Sequence, residues 1–194
     1  MRMKVAVSAL SITAVVAILG GGGGVSAAPK SSTPAKAVGP HIPKGGGLVQ
    51  LTGYSDNDGP KFSVILTGVV GDYGTAVRTH VSGSSGGEYN LLQVSVTRGS
   101  FGLGIAGLES KLIRAIYGNF PTNTSTCSGL VSVSAPVPVV ANSGTGAYKG
   151  LRGTFDVNIT INEVESWPSC PTTDTSPFLA QSVVISGTGT VSLR

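Results

Sequence analysis

The sequence has little charge, few cysteines and histidines, and almost no methionine or tryptophan. Charged residues make up 11% of its 194 residues, against about 25% in an ordinary globular domain. Hydrophobic residues make up 40%, which excludes a charge-rich disordered chain. Two cysteines and two histidines are too few for a Cys/His metal cluster. We therefore expect neither a metal site nor any other cofactor.

No hydrophobic run is long enough to cross a bilayer, which takes about 20 residues. The longest runs from Val5 to Leu19. It follows Arg2 and Lys4 and leads, through glycines, to small residues around Ala27. A basic head, a short apolar core and small residues at the cleavage site are typical of a secretory signal peptide. We predict a signal peptide over 1–27 and a secreted, extracellular protein without a membrane span; the alternative is a membrane anchor.

The basic residues are concentrated at the start of the chain. Residues 28–47 hold Lys30, Lys36 and Lys44, four prolines and no acidic residue, which is typical of an extended linker. Residues 48–194 hold 8 basic and 9 acidic residues. Because a nucleic-acid interface needs basic residues clustered on a folded face, this balance argues against a nucleic-acid partner. Residues 48–194 have the size of a single domain.

Hydrophobic residues in this domain alternate with polar ones. Clear examples are Phe62, Val64 and Leu66, and the longer run from Phe155 to Ile161. Glycine-rich turns separate such runs, and a first strand is expected over 48–54. Many short strands with tight turns indicate an antiparallel sandwich or barrel.

Residues 101–120 fit two patterns. Phe101, Leu103 and Ile105 alternate with glycines or follow them, as in a strand, whereas Leu108, Leu112 and Ile116 are spaced by four, as on a helix face. The sequence leaves open whether a short helix or a second strand follows the first strand, so the structure of 107–120 is undecided.

The two cysteines, Cys127 and Cys170, lie 43 positions apart. An even count in an exported chain favours a disulfide. The alternative, a catalytic thiol, needs a nearby base, and the histidines are His41 in the linker and His80. A bridge closing a loop of this length should stabilise the fold by about 3–4 kcal/mol.

Three polar residues have both a structural and a functional interpretation. Asp72 lies in a Gly-Asp-Tyr-Gly turn, where it either caps the turn or acts as an acid or base at the mouth of a barrel. Arg78 and His80 share one strand face. We interpret that face as solvent-exposed, with a site as the alternative.

The most informative segment runs from Ser143 to Gly153. Its glycines allow positive φ and close backbone approach, and Tyr148 should hold the turn against the end of the barrel. The segment resembles the Gly-Thr-Gly-x-(Phe/Tyr)-x-x-x-Arg-Gly motif of plant dirigent proteins, which are related to allene oxide cyclase. By this motif Arg152 matches the dirigent arginine and Tyr148 the dirigent aromatic residue.

The chain looks more closely like the exported actinobacterial proteins of the allene-oxide-cyclase-like barrel group. These have an early Gly-Asp-x-Gly-Thr-Ala segment, seen here at 71–76, and one cysteine in mid-chain, as Cys127 is. They have a second cysteine before the last strand, as Cys170 is, and a terminal Ser/Thr-Gly repeat, seen here at 186–192. The resemblance covers about Phe62 to Arg194.

The resemblance implies an all-β fold, an antiparallel eight-stranded barrel of calycin-like shape with an apolar interior. It implies a secreted protein that binds a small apolar or phenolic ligand, with Tyr148 and Arg152 as ligand-binding residues. One alternative is an isomerase or cyclase that positions a reactive substrate, with Asp72 and Arg152 as catalytic residues. The other is a structural or cell-surface interaction module. Related barrels associate as trimers or dimers, so a homo-oligomer is also implied.

Overall fold

Eight β-strands and one α-helix make up the part of the chain that the computed structural model describes, which is residues 43, 45–56, 60–81, 89–119, 123–167, 170 and 178–193, without the side chains of 118, 119 and 178. These residues belong to one compact unit, Val38–Arg194. The predicted signal peptide lies outside the described residues, and so does the predicted linker except for residues 43 and 45–47.

The strands are β1 (Gly47–Asp56), β2 (Lys61–Gly68), β3 (Asp72–Thr79), β4 (Leu91–Val96), β5 (Gly99–Gly104), β6 (Ser128–Pro138), β7 (Arg152–Glu165) and β8 (Phe178–Ser192), and the helix α1 (Ala106–Asn119) lies between β5 and β6. All strand pairs are antiparallel, in the order β5-β4-β3-β2-β1-β8-β7-β6. Of the predicted all-β, eight-stranded antiparallel barrel, the structure shows a nearly all-β fold with an eight-stranded antiparallel sheet that curls into a half-barrel.

The two edge strands, β5 and β6, come together at one end of the curl. Leu103 of β5 forms an isolated antiparallel bridge with Val139, just beyond β6. The Val140 N–H donates to the Gly102 carbonyl at 2.8 Å, and the Thr145 N–H donates to the Ser100 carbonyl at 2.8 Å. The segment between β6 and β7 thus provides hydrogen-bond donors for backbone carbonyls on the edge of β5.

The core lies on the concave face of the curl. Phe62, Val64 and Leu66 of β2 are buried between exposed neighbours, as their alternation predicts. On β7, Phe155 and Ile159 are 1% exposed. Period-two burial places every second side chain against the opposite wall of the curl, as the alternating sequence predicts for β2 and β7.

One prediction on β3 is wrong. Arg78 was expected on a solvent-exposed face, but it is 8% exposed and points into the core. It has the same inward phase as Asp72 and Ala76, because side chains two positions apart share a face. His80, just beyond the end of β3, is exposed.

The undecided stretch is a strand followed by a helix. β5 ends at Gly104, and after Ile105 the chain enters α1. Leu108 and Leu112 are buried and Ile116 is partly buried, so the spacing of four marks the face of α1 that packs against the sheet. Exposed Lys111 and Arg114 lie between them in sequence, and exposed Tyr117 follows Ile116. Among the described residues, no helix has the length and hydropathy to cross a membrane.

The predicted disulfide between Cys127 and Cys170 is confirmed. Their Cα atoms lie 5.7 Å apart, and both cysteines are buried. The bridge ties the turn before β6 to the segment between β7 and β8.

Candidate functional site

Two clusters of buried polar side chains stand out, and the first surrounds Asp72. This aspartate begins β3, and its side chain is 1% exposed. Its Oδ1 accepts hydrogen bonds from the Tyr73 N–H at 2.8 Å, the Thr97 N–H at 3.1 Å and the Thr97 hydroxyl at 2.6 Å. One oxygen therefore holds both its own turn and the turn between β4 and β5.

The second oxygen of Asp72 binds charged and aromatic partners. Oδ2 accepts from Arg98 Nε at 3.1 Å, from the Arg98 N–H at 3.3 Å and from the Tyr148 hydroxyl at 2.6 Å. Arg98 Nη2 donates in turn to the Gly71 carbonyl at 3.0 Å. The carboxylate thereby joins three separate segments of the chain.

Tyr148 reaches this carboxylate from the glycine-rich loop between β6 and β7. It is fully buried, and its ring centroid lies 5.2 Å from that of Phe101. Gly146 has a φ of +55°, and a Cβ there would lie 2.3 Å from the Arg98 carbonyl oxygen. A Cβ at Gly144 would lie 1.9 Å from the Tyr148 carbonyl oxygen. The loop can dock only because these positions carry no side chain.

Burial and hydrogen bonding act in opposite directions on the pKa of Asp72. Burial alone would raise that pKa, but the hydrogen bonds from Thr97, Tyr148, Tyr73 and Arg98 together outweigh burial and lower it well below its ordinary value. Burial, together with the hydrogen bond to Asp72 and its charge, raises the pKa of Tyr148 far above its ordinary value. Across the physiological pH range, Asp72 therefore stays an ionised carboxylate and Tyr148 stays a protonated phenol.

These properties suit a structural role for Asp72 better than proton transfer. A carboxylate offers about four acceptor sites, and this one already receives six donated hydrogen bonds. A carboxyl group whose pKa lies so low is a poor acid or base near neutral pH. The predicted catalytic role of Asp72 stays a prediction.

Arg152, the other residue predicted from the motif, lies elsewhere. It is the first residue of β7, pairs in register with Ser192, and its side chain is exposed. The structure therefore brings Tyr148 and Asp72 together, while Arg152 is not among the donors to this carboxylate. Its predicted catalytic and ligand-binding roles stay predictions.

The second cluster pairs Arg78, for which a site was the alternative interpretation, with Glu109, which the sequence did not indicate. Arg78 of β3 and Glu109 of α1 form an ion pair with Nη1 and Oε1 3.5 Å apart, and their side chains are 8% and 5% exposed. The Arg78 guanidinium carbon lies 4.8 Å from the ring centroid of Tyr89 and 5.8 Å from that of Phe62. Both distances are within the range of cation–π attraction.

This ion pair lies on the wall of a small enclosed cavity in the interior. The cavity volume is about 10 Å³, close to the minimum that holds one water molecule. Its other described lining residues are apolar and come from five strands, from α1 and from the residue just before α1: Leu92, Leu103, Ile105, Leu108, Val137, Val157, Ile159 and Ile185. Arg78 and Glu109 are the two charged residues among the described residues that line this cavity.

Two open grooves lie on the outer surface. A groove of about 410 Å³ is lined by outward polar side chains of the central strands, among them Gln50, Thr52, Asn158 and Thr188. A groove of about 570 Å³ lies near the ends of β6, β7 and β8. Near it, burial and the charge of Glu163 raise the pKa of Glu165. No cluster of three or more potential metal ligands occurs among the described residues.

Comparison of the chain with protein-family models, with curated proteins and with solved structures gives no match in any of the three.

Proposed function

We propose that this protein is an exported barrel of the allene-oxide-cyclase-like and dirigent-like group that binds one small apolar or phenolic molecule in its interior. The bridge between Leu103 and Val139 and the docking of the 140–148 segment on β5 support a closed barrel. The basic and apolar N-terminal segment supports export.

The observation that carries the proposal is the ion pair between Arg78 and Glu109 on the apolar cavity wall. Taking two charges out of water is costly, and replacing a buried ion pair by packed apolar residues is often neutral or stabilising. The pair is therefore better explained by recognition than by stability. Apolar pockets with a few convergent polar groups are the usual form of small-molecule sites.

In this proposal the protein binds its ligand without transforming it. The alternative isomerase or cyclase would need a group on the cavity wall that gives or takes a proton. Asp72 is fully engaged with Thr97, Arg98 and Tyr148, and Glu109 is paired with a cation. Binding needs no such group, but the cavity of about 10 Å³ must widen to admit the ligand.

The test is native mass spectrometry of the secreted protein, purified with its disulfide intact and then exposed to a panel of lipids and phenolics. We expect one small molecule bound per chain, lost on denaturation. Arg78→Met should abolish the complex. Arg114→Met is the matched control, because Arg114 is exposed on α1. A chain that stays empty with the whole panel overturns the proposal.

A second candidate function is a structural or cell-surface interaction module. The small size of the cavity beside Arg78, about 10 Å³, favours it, as does the groove of polar side chains across β1, β7 and β8. An empty interior in the mass spectrometry experiment would make this second function the better account.

A further inference from the structure

We propose that the groove of about 410 Å³ on the outer surface, here the outer groove, binds an extended, uncharged polysaccharide chain. The outer groove lies across β1, β8 and β7, and its polar lining residues are on the face of the sheet that points away from the core. Binding there does not depend on the interior site. It gives a partner to the second candidate function, the cell-surface interaction module.

Strand register arranges the polar side chains of the outer groove in two rows. The first row is Asn158, Ser186 and Thr52, and the second row is Asp156, Thr188 and Gln50. Within a row, neighbouring strands lie about 4.8 Å apart, and the two rows are two residues, or about 7 Å, apart along each strand. The outer groove therefore runs across the strands, with a row of polar side chains on each side.

Both ends of the outer groove are open. The register continues the first row to Ser134 on β6 and Ile65 on β2, and it continues the second row to Pro136 on β6 and Thr67 on β2. All four of these residues are exposed. This shape fits a linear polymer that continues past both ends, whereas small molecules are usually bound in concave pockets that bury most of their surface.

Three hydroxyl groups in the outer groove are available to a ligand. The side chains of Thr52, Ser186 and Thr188 have no hydrogen-bond partner within the part of the chain that the structure describes. Each hydroxyl can donate one hydrogen bond and accept two, and the hydroxyls of a sugar can do the same. The two rows therefore match a polymer that carries hydroxyl groups along its length.

The amide side chains of the outer groove are already held in place. Asn158 Nδ2 donates to Ser132 Oγ at 2.9 Å and to Ser134 Oγ at 3.0 Å. In the second row, Gln50 Oε1 accepts a hydrogen bond of 3.2 Å from the Thr67 hydroxyl, which leaves the Nε2 group of Gln50 to donate. Because both side chains are ordered before a ligand arrives, less conformational entropy is lost on binding.

The charge of the outer groove favours an uncharged partner. Asp156 is the one charged residue among the described residues that line it. Its carboxylate would repel a polyanion, and a polycation would find a single partner for its many charges. A neutral sugar needs hydrogen-bond donors and acceptors instead, and the hydroxyl and amide side chains supply both.

An aromatic side chain lies beside the first row. Tyr54 is on the same face of β1 as Thr52, two positions further along, and it is 52% exposed. The ring of a tyrosine offers an apolar surface, and its hydroxyl offers a hydrogen bond. A sugar ring, which has an apolar C–H face and a polar rim, can stack on Tyr54 while the rest of the chain lies between the two rows.

Co-sedimentation with insoluble polysaccharides tests this proposal on the mature protein with its disulfide intact. The probes are cellulose, chitin, mannan and curdlan. Each is measured in dilute buffer and in about 0.5 M sodium chloride, which screens binding through exposed charges. We expect the protein to sediment with at least one of the four, to the same extent in both buffers.

A double variant, Thr52→Val with Thr188→Val, removes one hydroxyl from each row and keeps the branched shape of both side chains. We expect it to bind the polysaccharide about tenfold more weakly, the fold-change of one to two hydrogen bonds. Thr75→Val is the matched control. Because Thr75 lies on β3 and is not among the described residues that line the outer groove, it should keep the wild-type affinity.

Tyr54→Ala tests the stacking surface separately. It should weaken binding about tenfold, because aromatic stacking is lost together with the contact area of the ring. Tyr117→Ala, at an exposed tyrosine of α1, should leave the affinity unchanged. Every variant is first required to show cooperative thermal unfolding, so that sedimentation of unfolded protein is not counted.

Sedimentation with none of the four polysaccharides overturns the proposal. Sedimentation that disappears in salt also overturns it, because the lysines of residues 28–47 would then explain the binding. If Thr75→Val weakens binding as much as the double variant does, the outer groove is not the site. Native mass spectrometry measures the interior ligand independently, so interior binding and polysaccharide binding can each fail alone.

Discussion

The Tyr148 hydroxyl donates a hydrogen bond of 2.6 Å to Oδ2 of Asp72 across 76 positions of sequence. It joins the loop before β7 to the start of β3. Arg98, from the turn between β4 and β5, binds the same oxygen through Nε at 3.1 Å. Three segments that are distant in sequence are thus held by one carboxylate.

Asp72→Asn should destabilise the protein in a pH-dependent way. The folded state lowers the pKa of Asp72 below its unfolded value of about 3.9. Its contribution to stability is therefore complete above about pH 4 and is lost as the pH falls through the folded-state pKa. At neutral pH we expect a loss of about 3 kcal/mol. Urea unfolding at neutral pH and near pH 3 should show the difference between the two proteins shrinking in acid.

Asp156→Asn is the control for that experiment, because Asp156 is exposed on β7. Its effect should be small at both pH values. A difference between wild type and Asp72→Asn that stays constant over the acid range would mean that the charge of Asp72 does not stabilise the fold.

Tyr148→Phe should keep the ring packing on Phe101 and remove only the hydroxyl. Hydrogen bonds to charged groups contribute about 1.5–3 kcal/mol, so we expect the free energy of unfolding to fall by that amount. Tyr117→Phe is the matched control, since Tyr117 is 83% exposed. Equal effects of the two substitutions in urea unfolding would show that the bond to Asp72 does not stabilise the loop.

The sequence predicts the Asp72 cluster better than the Arg78 cluster, for a physical reason. The glycines around Tyr148 indicate positions where the backbone needs a positive φ or a close approach. The sequence therefore predicts that this loop packs closely. Its pairing with Asp72 is a long-range contact that no local pattern reports. The strand phase puts Arg78 on the same side as Ala76, but its charge favoured a solvent-exposed face.

The sequence also did not indicate that Glu109 pairs with Arg78. Glu109 faces the interior only because residues 106–119 form a helix, and the alternation of Phe101 and Leu103 with glycines left that helix undecided. Which side chains of α1 face β3 depends on where β5 ends. The pair of Arg78 and Glu109 depends both on which side chains of β3 face inward and on where α1 begins. Neither the strand pattern nor the helix pattern alone predicts it.

Gly146→Ala and Gly107→Ala should have opposite effects. At Gly146 the φ of +55° and the 2.3 Å approach of the Arg98 carbonyl oxygen should make alanine destabilising by about 1–3 kcal/mol. At Gly107, near the start of α1, a Cβ would meet nothing within 4 Å, and alanine should stabilise the helix by about 0.5–1 kcal/mol. Thermal unfolding of both variants checks the signs. A loss at both positions would mean that α1, too, needs its glycine.

Arg152→Ala distinguishes the interior site from the site that the dirigent-like motif predicts. Arg152 is exposed at the start of β7, so we expect its removal to change the free energy of unfolding by less than about 0.5 kcal/mol. It is not among the described residues that line the interior cavity, so the complex seen by native mass spectrometry should be unchanged, whereas Arg78→Met should abolish it. If Arg152→Ala weakens binding while stability is preserved, the ligand contacts the motif arginine. The site would then lie beside Arg152 at the start of β7, and not beside Arg78.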